Sequence, residues 1–397
     1  MAFKFDYRKP LVISEIGCNH MGDFEIAKEL IKLSKDCGAD YAKFQKRNAR
    51  ELLTDEQYNT PHPVPYNAYG NTYGAHREFL EFTWEQHADL KEYAESIGIG
   101  YATSVWDITS AREIAALKPD FIKVPSACNN HYDMLQFLRD EYAGDIHISS
   151  GMTTLDEIEE LVKFFEVTNQ AKSRLVLYNC TSGYPVPFKD ICLLEINRLY
   201  EHYDHRVKEI GFSGHHLGIA ADVAAYTLGA RWIERHFTKD RTWKGTDHAA
   251  SLEVPGLQKL VRDLTQIQQA LTFKNKEILD IEAEQRHKLK YRKTQNVWCA
   301  MTLDEIKEKA LPVLRKHHIK KAGIFGSFAK GTFHKRSDVD MLVELPVERK
   351  VGLLEFVSIK LELQKVLKRK VDLGEFRAIR PQLKEHIFNE TLFILND

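Results

Sequence analysis

From Leu11 to about Thr272 the chain alternates short β-rich runs with longer segments whose apolar residues recur every three or four positions. The runs VISEIG (12–17), YAKFQ (41–45), GYATSV (100–105), FIKVPS (121–126), DIHISSG (145–151), LVLYNCT (175–181), EIGFSGH (209–215) and RWIERHFT (231–238) are strand candidates. Helix-patterned stretches such as FEIAKELIKLSKDCG and LDEIEELVKFFEV follow most of them. Eight strand–helix units over about 250 residues match a (β/α)8 TIM barrel. An open doubly wound sheet has the same arithmetic. The connection at 46–75 is long and Pro-rich (Tyr58 to Tyr66 reads YNTPHPVPY) and predicts a lid or substrate wall, or a surface excursion.

From about residue 274 the chain turns charged, predicting a terminal helix and a linker over 286–300 that separates a first domain (1–285) from a second (301–397). A fresh pattern opens at Met301. TLDEIKEKALPVLRKHH is an amphipathic helix with a Thr-x-x-Glu capping box. After it, KKAGIFGSFAKG predicts a strand and turn, SDVDMLVEL a strand, GLLEFVSIKLELQKVLKR a helix, and KVDLGEF a last strand. The second domain is thus a small α/β unit.

Composition narrows the function. The chain has 397 residues, 43% hydrophobic and 28% charged, which is the balance of a soluble globular protein. A formal net charge of −1 argues against a broad nucleic-acid or anionic-membrane surface. Residues 301–397 nevertheless carry 19 Lys and Arg against 14 Asp and Glu, so the two parts differ in sign. No apolar stretch is long enough for a membrane span, and no secretion signal is visible. Six cysteines without a CxxC pair suit a reducing cytoplasm.

In a barrel, the active site lies at the C-terminal strand ends, and here these ends are polar: Glu15; Lys43 and Gln45; Thr103 and Ser104; Lys123 and Ser126; Ser149 and Ser150; Thr181 and Ser182; Ser213 and His215; Glu234 and His236, with Asp247 and His248 just beyond. Lysines and hydroxyls converging on one mouth suit a phosphate-bearing anion. Two histidines on neighbouring strands with carboxylates nearby suit a divalent metal acting as a Lewis acid. His20, His131, His147 and His202 read as hydrogen-bonded walls, and Cys18 and Cys180 as packing residues.

The strings EIGCNHMGD, KFQ, IKVPS, ISSGM, CTSGYP, GFSGHHLG, IERHFT and KGTDHAAS, in this order, closely resemble the sialic acid synthase family over about residues 10–285. The resemblance implies condensation of phosphoenolpyruvate with an aldehyde sugar to a nine-carbon 2-keto-3-deoxy acid. It implies Lys43, Ser104, Lys123, Ser126, Ser149, Ser182 and Ser213 as the phosphoenolpyruvate site, His215 and His236 as ligands of Mn²⁺ (or Mg²⁺), and Glu15 as an acid/base carboxylate. Gln45, Tyr184 and Asp247 match sugar-contacting positions, and a homodimer is the family expectation. Two departures bear on the sugar. Nothing after residue 285 resembles the antifreeze-like domain that many members carry, so recognition of an N-acetyl group would fall to the 46–75 segment. Gly214 stands where several bacterial members have Asp, and His216 is added.

In the second domain, Gly326-Ser327 followed by Asp338-Val339-Asp340 and then Asp372 places a phosphate-gripping turn beside paired carboxylates. These residues closely resemble the minimal nucleotidyltransferase family over about 302–396. The resemblance implies an NTP on Ser327, Mg²⁺ on Asp338, Asp340 and Asp372, and a separate small helical protein as partner. Two rival functions fit the chain: a synthase of eight-carbon keto-deoxy acids, and an antitoxin-like regulator that uses the barrel as a scaffold.

Overall fold

The structure is a computed structural model that describes residues 5–291, 301–334, 337–346 and 351–396. Its contacts divide the chain at Asn275/Lys276, earlier than the boundary expected at 285.

The first unit is a closed barrel of eight parallel strands paired in sequence order, with the first also paired to the last. The strands are β1 (Leu11–Gly17), β2 (Tyr41–Lys46), β3 (Gly100–Val105), β4 (Phe121–Val124), β5 (Asp145–Ser149), β6 (Leu175–Cys180), β7 (Glu209–Gly214) and β8 (Trp232–His236). Closure decides between the barrel and the open sheet. Each strand sends alternate side chains to opposite faces. One set, including Val12, Ile16, Ala42, Phe44, Ile122 and Ile146, packs among the main core residues. The other set fills the barrel: Ile13, Ala102, Phe121, Val176, Tyr178 and Trp232 form a separate apolar cluster. Glu15 lies two residues beyond Ile13 on β1, Lys43 two beyond Tyr41, Lys123 two beyond Phe121 and Glu234 two beyond Trp232. Period-2 geometry therefore carries the charged side chains inward, one step nearer the C-terminal strand ends.

The helices between strands start at designed caps. Asp23 accepts from the amides of Glu25 and Ile26 ahead of the helix Phe24–Asp36, and Thr154 and Glu157 form a capping box for Leu155–Glu166. The 46–75 segment is not a bare loop. It folds as short helices Ala49–Leu52 and Asp55–Asn59 and a turn at Pro65–Asn67, and leads into a helix at Tyr73–Phe79. Thr54 and Gln57 cap the second of these reciprocally, a local signal hidden beneath the prolines.

In the second unit, β9 (Lys321–Phe325), β10 (Val339–Glu344), β11 (Val371–Glu375) and β12 (Leu392–Asn396) form a sheet of order β11-β10-β9-β12. β10 and β11 are parallel, and β9 is antiparallel to both β10 and β12. β12 lies beyond KVDLGEF, the last strand that the sequence pattern predicts. A helix at Asp280–Leu289 buries no residue and runs into the start of the predicted linker, whose residues 292–300 lie outside the described residues. No helix among the described residues is long and apolar enough to cross a membrane.

Candidate active site

Strand register assembles the polar residues. Glu15 on β1 is level with Lys43 on β2 and His236 on β8, Gln45 on β2 with Ser104 on β3, Ser104 with Lys123 on β4, and Ser213 on β7 with Glu234 on β8. The result is an inner cavity of about 310 Å³ lined by Glu15, Lys43, Gln45, Ser104, Lys123, Ser126, Ser149, Ser182, Tyr184, Ser213, His215, Glu234 and His236, among others. An outer cavity of about 530 Å³ shares Gln45, Trp106, Tyr184 and His236 with it and adds Asp247. The phosphoenolpyruvate, histidine and sugar-contact candidates all line one of these two cavities, whereas Thr103, Ser150, Thr181 and His248 from the strand ends line neither.

At the inner end the charges are paired. Lys43 Nζ lies 2.5 Å from Glu15 Oε2 and 3.6 Å from Glu234, and donates to Ser104 Oγ at 2.7 Å. Lys123 Nζ donates to both Glu234 oxygens, at 3.1 and 3.0 Å, and Ser213 Oγ donates to the same carboxylate at 2.9 Å. All of these side chains are buried, so each charge depends on its partners. Burial pushes the Lys43 ammonium down, but Glu15 and Glu234 more than offset it and leave it above its ordinary value. For Lys123 burial wins, and its ammonium sits below its ordinary value despite Glu234. Burial also pushes the Glu15 carboxyl up. Burial acts on Glu234 in the same sense, but Lys123 and Lys43 hold it well below the usual carboxylate range. From sequence alone Glu234 is only a carboxylate near the histidines. The structure instead makes it the counter-ion shared by both lysines, a role that depends on register and on a contact across the barrel.

At the mouth, the His215 and His236 rings lie 5.4 Å apart, with Tyr184 4.2 Å from the first and 5.9 Å from the second. His215 Nδ1–H donates to the Thr181 carbonyl at 3.0 Å, which leaves the Nε2 lone pair available. His236 Nδ1 is buried without a hydrogen-bond partner. A free lone pair and an orphaned ring nitrogen on neighbouring histidines fit the donor chemistry that a two-histidine metal site needs. Among the described residues no group of three His, Cys, Asp or Glu is arranged to hold an ion, so further ligands would come from substrate or water.

Gly17, at φ +55°, ends β1 beside the Gln45 amide, where a Cβ would come within 3.0 Å of Nε2. This close approach lets Gln45 donate to Glu15 Oε1 at 3.0 Å. Burial would raise the Asp247 carboxyl, but neighbouring His236 and Arg47 bring it below its ordinary value. Burial pushes the Cys18 thiol up to about 12 and the Cys180 thiol up to about 11, in keeping with packing roles. His147 stacks on Phe121 and bonds the Tyr178 hydroxyl, and His131 caps a helix by accepting from the Met134 amide. The added His216 is explained by a buried network. Asp222 pairs with Arg235 at 2.5 Å and with His216 Nε2 at 3.3 Å, and Arg235 also donates to the His216 carbonyl at 2.5 Å.

In the second unit, Gly326 takes φ +68° at the turn after β9, and a Cβ there would overlap Asp340 Oδ2. Ser327 follows in a short helix, Gly326–Ala329. Asp340 on β10 is level with Asp372 on β11. Burial raises the Asp340 carboxyl, and Asp372 and Asp338 add to that rise. Asp338 is engaged by Lys370 at 2.6 Å and Asp372 lies 3.5 Å from Lys360, so two of the three predicted metal-binding carboxylates carry lysine partners here.

Comparison with known proteins agrees with this architecture. Residues 30–276 match the NeuB family and residues 304–394 a nucleotidyltransferase domain. The chain is 36% identical over 280 residues to the N-acetylneuraminate-9-phosphate synthase of Homo sapiens, covering 70% of this chain and 76% of that protein. It is 31% identical over 264 residues to the N,N'-diacetyllegionaminic acid synthase of Campylobacter jejuni, covering 66% and 78%. The crystal structure of the N-acetylneuraminic acid (sialic acid) synthetase from Leptospira borgpetersenii, in complex with citrate, is 27% identical, with a TM-score of 0.60 over 72% of this chain and 94% of that one. The chain belongs to the NeuB family. It is an enzyme of the sugar acid synthase type, a transferase, and also contains a nucleotidyltransferase domain.

Proposed function

We propose that this enzyme condenses phosphoenolpyruvate with an aldehyde hexose, N-acetylmannosamine-like or related, to a nine-carbon 2-keto-3-deoxy acid, releasing phosphate. The observation that supports this most is the pair of buried lysines, Lys43 and Lys123, bridged by Glu234 and ringed by Ser104, Ser126, Ser149, Ser182 and Ser213. Such a nest suits a small, highly charged substrate through charge-assisted hydrogen bonds. The lysines and hydroxyls hold phosphoenolpyruvate, with its enolic carbon toward the mouth. Gln45, Tyr184 and Asp247, which line the outer cavity, orient the open-chain aldehyde against it.

The enolic carbon attacks the aldehyde carbon and forms the new C–C bond. Water adds at the second carbon of phosphoenolpyruvate, and the resulting tetrahedral species breaks its C–O bond to expel phosphate. Glu15, whose carboxyl is raised by burial and lies beside Lys43, holds or delivers the proton at the oxygen whose charge changes. When bound by His215 and His236, a divalent ion, Mn²⁺ or Mg²⁺, supplies Lewis-acid polarisation of the aldehyde oxygen.

In the second unit, Gly326 and Ser327 beside Asp340 and Asp372 support nucleotidyl transfer from an NTP with Mg²⁺, with Asp338 joining once Lys370 releases it. The barrel reading is tested by mass spectrometry of the product from a panel of C4 to C6 aldoses. A nine-carbon acid from a hexose supports it, whereas an eight-carbon acid from a pentose alone overturns it.

A further inference from the structure

The acidic side chains of the second unit are partly neutralised by lysines of the same unit. β10 and β11 run parallel with Asp340 level with Asp372, and the Val339 amide donates to the Lys370 carbonyl at 2.9 Å. Asp338 and Lys370 each lie two residues before those aspartates, so period-2 geometry sets two rows on one face, acid beside acid and acid beside lysine. Lys370 Nζ donates to Asp338 at 2.6 Å. Lys360, from the helix Leu353–Leu367, stands 3.5 Å from Asp372. Arg369 donates to the Ser337 carbonyl at 3.3 Å and ties the two strand starts together. Asp340 has no ion pair among the described residues. The Gly326 turn instead packs so closely on it that a Cβ there would come 2.4 Å from Oδ2. Two lysines thus face three carboxylates, and one negative charge is left over. Lys370 feels the whole group: its hydrogen bond to Asp338 raises its ammonium, and Asp372 and Asp340 add to the rise.

Neither lysine is locked in place by burial. The Lys370 side chain is 72% exposed, and so is most of Asp372 opposite Lys360. Exposed pairs of this kind are weak and exchange readily. An ammonium held so loosely on carboxylates that fit a divalent ion stays there only while the ion is absent. Once freed, it needs another anion, and a triphosphate gripped at Gly326 and Ser327 is the one at hand. We infer that Lys370 and Lys360 are exchange residues of the nucleotide site: they sit on Asp338 and Asp372 while it is empty, and pass to the NTP phosphates when these carboxylates turn to a divalent ion. The lysines therefore compete with free metal but favour a metal triphosphate, so the site loads ion and nucleotide together. This rests on the nucleotidyl-transfer reading above and adds to it two residues outside the Gly-Ser turn and the three aspartates.

The test uses the full-length chain carrying H236A, which silences the barrel histidine pair, with D340N in the same background as the blank. Two affinities are measured: Mn²⁺ alone, from the electron paramagnetic resonance of the free ion, and magnesium tripolyphosphate, by calorimetry. K370Q binds Mn²⁺ about two- to five-fold tighter than its parent, the worth of one exposed ion pair. It binds magnesium tripolyphosphate about ten-fold more weakly, the worth of one charge-assisted contact. K360Q moves both affinities in the same directions, and K370R, which keeps the charge, stays within about two-fold of the parent in each. A lysine that only shaped the sheet would weaken both together when replaced. Mn²⁺ affinity unchanged or lowered in K370Q, or tripolyphosphate affinity unchanged or raised, overturns the exchange and leaves nucleotidyl transfer standing. Mn²⁺ binding that is indifferent to D340N in every variant takes down both the exchange and the nucleotidyl-transfer reading.

Discussion

The network beneath the histidines gives a prediction with a magnitude. Arg235 lies on β8 between Glu234 and His236, so its side chain points away from the cavity, to the opposite face of the strand. There it meets Asp222, from the helix Ala220–Thr227, at 2.5 Å, with both side chains almost fully excluded from solvent. Arg235 also donates to the carbonyls of His216 at 2.5 Å and Gly218 at 2.7 Å, which pins the loop presenting His215. Asp222→Asn keeps the shape but leaves a buried guanidinium facing a neutral amide. Breaking one side of a buried pair costs about 3–5 kcal/mol. Urea denaturation of the variant should show a loss of that size, and condensation should fall at least about ten-fold further as the His215 loop loosens. D222L/R235M, which removes both charges, should be more stable than D222N, because no charge is left buried alone. A D222N loss below about 1 kcal/mol, or a double variant worse than the single, would show that the Asp222–Arg235 pair does not hold this loop.

Other outcomes follow from the same geometry. His20, His87 and His147 are buried, and burial holds His20 down to about 3 and the other two well below 6.5. The unfolded chain therefore takes up protons first, and stability present above pH 6.5 is lost as pH falls toward 4, by up to about 1.4 kcal/mol per histidine per pH unit. Urea midpoints at pH 7 and pH 5 measure this, and H147Q should flatten the slope. His215→Ala or His236→Ala should abolish condensation, read as phosphate release, while any nucleotidyl transfer persists; Asp340→Ala should do the reverse. Gly326→Ala, with its left-handed backbone and the overlap with Asp340, should lose nucleotidyl transfer and spare phosphate release, both measured on the same preparation.

The barrel was legible because its signals are local. Short β-rich runs mark the strands, helix-patterned segments separate them, and the polar residue that ends each run is the one the fold places at the mouth. What escaped depends on contacts that spacing cannot carry. Glu234 becomes the shared counter-ion only because β7 and β8 align it with Ser213 and the barrel interior brings Lys123 across to it. β12 follows a helix after a single residue, Thr391, and keeps Leu392 and Phe393 largely exposed, so it lacks the alternation that marks a half-buried strand. The lysine partners of Asp338 and Asp372 were equally invisible: Lys370 is two residues from Asp372 in sequence yet pairs with Asp338 across the sheet.

Condensation at the lysine and histidine site is read out by phosphate release from phosphoenolpyruvate with the purified full-length chain. Release is expected only when an aldehyde hexose or its phosphate is added with Mn²⁺, and none after EDTA treatment. Release that is indifferent to sugar and metal, or silence across a sugar panel that a known synthase turns over in parallel, would contradict it.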